Sequence, residues 1–75
     1  MKENYRVAAI WDSDASVWVS ETDIPGLVIE AGTLAEFDAL MQVLVPDMLS
    51  ANAGIRGEIV RVEFTARARR VFAVA

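Results

Sequence analysis

The 75-residue sequence has no cysteine and no histidine. The first absence removes disulfides, thiolate metal sites and cysteine nucleophiles, and the second removes the commonest general base near neutral pH. Ser13, Ser16, Ser20 and Thr22 therefore have no imidazole to activate them, and Lys2 stands at a fraying terminus, so nucleophilic catalysis lacks a base. Asp12 and Asp14 share a turn that in principle suits Ca²⁺ or Mg²⁺, but the further oxygen ligands and closing glutamate of a calcium loop are missing. We expect no enzyme, no metal and no cofactor. No apolar run approaches the roughly 18 residues of a membrane span, and no charged-then-apolar segment opens the chain. The expectation is a cytoplasmic protein without a membrane segment. Proline (two residues) and glycine (four) are also scarce, so the turns they mark are few and informative.

What is present is apolar: 55% of the residues are hydrophobic, with two tryptophans and three phenylalanines, too many for a disordered chain. Residues 1–75 read as one domain with no linker or repeat. A chain this short buries only about 60% of its unfolded surface, so self-association into a dimer or tetramer is expected. The net charge of −4 argues against general nucleic-acid binding, and direct DNA binding is not expected. That charge is unevenly spread. Residues 1–55 carry nine acidic and two basic side chains, net −7, whereas residues 56–75 carry five arginines against two glutamates, net +3. An acidic body with a basic end suits a basic protein partner or a second copy of the chain; the plainer alternative is that the charges only keep a small apolar domain in solution.

Residues 4–11 and 16–22 flank Asp12-Ser13-Asp14-Ala15, whose short polar side chains favour a turn, and read as a β-hairpin. Pairing Trp11 with Ser16, Ala9 with Trp18 and Arg6 with Glu21 gathers Ala8, Ile10, Val17 and Val19 on one face, taken as the core. Trp11, Trp18 and Val7 then fall on the open face. Pro25-Gly26 marks a type II turn, Leu27 to Ala31 a short third strand with Leu27 and Ile29 inward, and Thr33 with Glu36 a capping box opening a helix. From Leu34 the stripe Leu34, Phe37, Met41, Leu44 and Met48 has helical spacing, with Pro46 predicting a kink or a fresh start and residues 52–57 an end. Val60, Val62, Phe64, Ala66 and Ala68 alternate with polar residues in a last strand whose even positions face the helix, and the alternation fails at Arg70-Val71. A bulge, or a strand leaving its own sheet, would account for the failure. The fold class is α+β, in the order β-β-β-α-β: a small antiparallel sheet with one helix on one face.

The run Pro25-Gly26-Leu27, then Glu30-Ala31, Thr33-Leu34, preceded by the tryptophan-bearing hairpin and followed by a Pro46-containing helix ending at Asn52, resembles the HicB-like antitoxin superfamily, in particular a short bacterial branch of it. The resemblance covers about residues 5 to 52. It implies a fold partly like the double-stranded-RNA-binding domain and a non-catalytic role in which the domain masks a small basic toxin that cleaves RNA. Leu27 stands where better studied members have cysteine, and no segment after the last strand suits a DNA-binding tail, so repression of its own operon unaided is not expected.

Three functions stay open: antitoxin-like masking, a homo-oligomeric module with an unrelated partner, and a platform for single-stranded nucleic acid built from Trp11 and Trp18 beside Arg61, Arg67 and Arg69. Partner contact is expected at Trp11, Trp18 and Glu30, though a tryptophan lying half buried on a small sheet reads equally well. Self-association is expected at Arg67, Arg69, Arg70 and Phe72.

Overall fold

The computed structural model describes residues 4–75, so Lys2 lies outside the described residues. The elements follow the expected order: β1 (Asn4–Asp12), β2 (Val17–Thr22), β3 (Glu30–Ala31), α1 (Leu34–Ala53) and β4 (Arg61–Arg67). They form one four-stranded sheet in the order β3-β2-β1-β4. The β1–β2 and β2–β3 pairings are antiparallel, and β4 runs parallel to β1, which makes the sheet mixed. Connectivity explains this. β3 lies two antiparallel steps from β1 and so shares its direction, and a strand that returns through a crossover helix runs parallel to the strand it left.

The hairpin register differs from the sequence expectation by two residues: Asp12 faces Val17, Trp11 faces Trp18, Ala9 faces Ser20 and Val7 faces Thr22. The loop still has four residues but sits one position later, at residues 13–16. Asp12 closes it, its carboxylate Oδ1 accepting the N–H groups of Asp14 (3.0 Å) and Ala15 (3.3 Å), while Ser16 takes a left-handed φ of 55° and drops out of β2.

The buried face of the sheet is the opposite of the one expected. Tyr5, Val7 and Ala9 of β1 point to the helix and are buried, together with Leu27, Ile29 and Ala31. Trp18 packs against this core, and the Trp11 and Trp18 rings meet at 5.2 Å and 59°. Ile10, Val17 and Val19 lie on the open face, because their register partners do. The reason lies in two hydroxyls. Ser20 Oγ accepts the Ile29 N–H (2.9 Å); Thr22 Oγ1 accepts the Ile24 N–H (3.1 Å) and donates to the Arg6 carbonyl (2.7 Å). Inward-facing Ser and Thr are tolerated here because their polar atoms are satisfied by the backbone of the β2–β3 connection. Ala8 is buried although it stands on the open face: Arg67, opposite Ile10, reaches across β1 to Glu21, opposite Ala8, with Nη2 3.7 Å from Oε1.

The helix begins as expected. Thr33 is extended and its hydroxyl accepts the Glu36 N–H at 3.1 Å. Phe37, Val45 and Leu49 are buried and Met41, Leu44 and Met48 partly so, while Leu34 and Leu40 are exposed. Of the kink or fresh start expected at Pro46, the fresh start does not occur: α1 is one 20-residue helix with Pro46 inside it. Proline forgoes the bond to the Gln42 carbonyl, and burial of Val45 and Leu49 on either side keeps both turns on the sheet. Gly54, at φ 68°, ends the helix, with its own N–H and that of Ile55 both turned back to the Leu49 carbonyl.

The Pro25-Gly26 turn has the expected type II form, with Gly26 at φ 78° and the Leu27 N–H bonded to the Ile24 carbonyl at 3.3 Å. It is tied to the far end of α1 by Asn52, whose Nδ2 donates to the Pro25 carbonyl at 2.9 Å. A side chain at Gly26 would both force an unfavourable φ and overlap the Asn52 amide. Gly26→Ala should therefore destabilise by about 2 kcal/mol and Asn52→Ala by about 1 kcal/mol. Denaturant unfolding of the two single variants and the double variant checks this, since removal of the Asn52 amide should recover part of the Gly26→Ala loss.

Candidate interaction surfaces

Among the described residues no group of three or more acidic side chains is close enough to hold a metal ion, and no helix is long and apolar enough to cross a membrane. What the fold displays is surfaces. The helix covers one face of the sheet, and the other face carries an apolar band: Ala8 and Ile10 from β1, Val17 and Val19 from β2, and Val28 just ahead of β3, which is 80% exposed. Glu30, opposite Val19, is exposed beside the band, and Asp12 and Glu21 stand on the same face. Of the three residues expected to contact a partner, the structure leaves Glu30 on this surface and moves Trp11 and Trp18 to the helix side. Arg61 and Arg67 project from β4 on the open face, which leaves Trp18 and Arg61 apart, but Trp11 meets Arg67 and Arg69 around a pocket of about 440 Å³ that Ile10, Glu21 and Ala68 also line, so the aromatic-plus-basic grouping is brought together only in that part.

Charge sharpens the picture. From Val7 to Ile55 the chain holds eight carboxylates (Asp12, Asp14, Glu21, Asp23, Glu30, Glu36, Asp38 and Asp47) and no basic side chain. The helix contributes three of them and nothing positive in its last turn. The carboxylates meet cations only from outside this stretch: Arg6 lies 4.0 Å from Asp23, and Arg67 pairs with Glu21.

The second surface is β4 with the chain after it. Val62, Phe64 and Ala66 share the helix side with Tyr5, Val7 and Ala9, as expected, and the Phe64 ring lies 5.8 Å from Phe37. The strand is shorter than its alternation implied, ending at Arg67. Ile10 faces Arg67, so Asp12, the last residue of β1, would face Arg69, and beyond that point β1 offers no partner. Residues 68–75 are exposed and outside any strand, with Val71, Phe72 and Val74 open to solvent. Arg69, Arg70 and Phe72 all lie on this arm, and Arg67 at its root.

Between α1 and β4 runs an apolar cleft that the sequence pattern did not announce. One part, about 220 Å³, is lined by Met41, Gln42, Val45, Pro46, Val62 and Phe64. It continues past Val45 and Pro46 into a larger part, about 560 Å³, reaching Leu49, Ile55, Ile59 and Val60. Apolar Ile59 and Val60 ahead of the strand were its only sequence signal.

Among curated proteins none matches the chain. Among solved structures, the crystal structure of a hypothetical protein from the extremely thermophilic bacterium Thermus thermophilus is similar, with 39% sequence identity, coverage of 95% of this chain and 99% of that one, and a TM-score of 0.69. The model of the family DUF1902, described as a domain of unknown function, matches residues 4–74. With the match running through every strand and the helix, the chain belongs to the DUF1902 family.

Proposed function

We propose that this domain is a non-catalytic protein-interaction module acting in the cytoplasm, and that it works as an antitoxin does, masking a small basic toxin that cleaves RNA. The observation that carries this reading is the stretch of eight carboxylates from Val7 to Ile55 uninterrupted by any basic side chain. An excess of charge of one sign attracts a partner of the other and speeds its encounter. The open sheet face supplies the docking ground, since its band of Ile10, Val17, Val19 and Val28 is apolar and Asp12 and Glu30 stand beside it, with Glu21 paired to Arg67. An apolar centre with a charged rim is the usual anatomy of a protein interface. The resemblance to HicB-like proteins adds the nature of the partner.

The test is co-expression with any small basic chain encoded beside this one. The expected result is a complex that survives purification, weakens as salt rises, and suppresses RNA cleavage by the partner. Glu30 is exposed and makes no core contact, so Glu30→Arg should leave the melting curve in place and weaken the complex about tenfold, the scale of about 1.4 kcal/mol. A partner whose RNA cleavage proceeds unchanged in the presence of this domain would defeat the reading.

A further inference from the structure

We infer that two copies of the chain join along β4, and that the arm of each copy, residues 68–75, closes the cleft between α1 and β4 of the other. This surface is separate from the open face assigned to a partner, and the inference stands without that assignment.

Three features converge on it. β4 is the terminal strand of the sheet, and its outer edge exposes a row of backbone donors and acceptors that a second strand satisfies. Two identical edges pair antiparallel about a two-fold axis, which carries the sheet through both copies. In that arrangement each arm runs on past the start of the partner's β4, where the larger part of the cleft opens beside Ile59 and Val60. The arm leaves its own sheet after Arg67, and this edge offers it another strand partner.

Side-chain parity supplies the second feature. Even positions of β4 face the helix, and an arm that continues as a strand keeps that rule, putting Phe72 and Val74 on the helix side. Phe72 is 76% exposed in the single chain, and Val45, Pro46, Leu49, Ile55 and Val60 give the cleft an apolar bed of the kind an aromatic anchor fills, with Ser50, Arg56 and Glu58 at its margin. The third feature is charge. Parity puts Arg70 on the helix side as well, which accounts for the failed alternation at Arg70-Val71. The helix has no cation and displays Asp47, next to the cleft residue Pro46, and Glu58 lines the larger part of the cleft. Arg70 thus meets Asp47 and Glu58.

Sedimentation of the full chain should give twice the mass of one chain, and a monomer at about 100 µM, a concentration at which even weak dimers assemble, would overturn the inference. Phe72 is mostly exposed and lies outside the core, so Phe72→Asp should keep the fold, by circular dichroism, and weaken association at least about thirtyfold, as loss of a hot-spot aromatic does. Unchanged association would remove the arm from the interface. A mixed sample locates the arm: one copy has labelled methionine methyls and the other a spin label on Ala75→Cys, which spares Phe72. Broadening of Met41 and Met48 on the labelled copy is expected. Absence of broadening there, in a sample that sediments as a dimer, would show a dimer made by another surface and would sink the proposal.

Discussion

Phe37→Ala is expected to lower the free energy of unfolding by about 3–5 kcal/mol, the range for removing a buried phenylalanine ring. Phe37 has no exposed surface and stands in the first turns of α1, where it shares the one core with Val7 and Ile29 and its ring lies 5.8 Å from that of Phe64. A domain of this length has roughly 4–11 kcal/mol of stability in all, so the variant should be marginal at room temperature. Chemical denaturation would show the midpoint falling sharply with little change of slope. The neighbouring ring provides the control. Phe64 is 39% exposed on the terminal strand, so Phe64→Ala should cost clearly less. Equal losses at the two positions would mean that β4 is as deeply packed as the helix, contrary to its exposure.

Trp18→Ala carries the second large effect, about 2–3 kcal/mol, reduced from the full range for tryptophan because the ring is only partly buried. The ring packs against the core beside Ala31 and meets Trp11 at 5.2 Å, a tilted contact that adds to its area burial. The same substitution on an exposed interface tryptophan would leave the melting curve unchanged and weaken binding alone. Thermal melts of Trp18→Ala beside Glu30→Arg distinguish the two cases: the first should melt earlier, the second with the parent. If Trp18→Ala melted with the parent, the face assignment of the hairpin would be inverted.

Features local to the chain are legible in the residues themselves. Pro25-Gly26 can only be a turn, because one residue presets φ and the next accepts a positive one; Thr33-x-x-Glu36 announces a helix start; and the alternation of Val62, Phe64 and Ala66 names the inward positions of β4. These depend on neighbours within four residues, so the sequence by itself determined them, along with the element order, the absence of Cys and His chemistry, and the acidic body with its basic end. Which face of the hairpin is buried was decided only by tertiary structure. Both faces hold comparable apolar residues, and Ser20 and Thr22 turn inward because their hydroxyls bond to the Ile29, Ile24 and Arg6 backbone, partners up to 16 residues away. The register moved with it, since Ser16 had to leave the strand for Trp11 to face Trp18. Continuity of α1 through Pro46 likewise rests on the sheet beneath it, which holds Val45 and Leu49 in place while one backbone bond is missing. Length sets the limit of β4 within its own chain: β1 stops at Asp12, so no residue after Arg69 has a place beside it, and the pairing itself ends with Ile10 and Arg67.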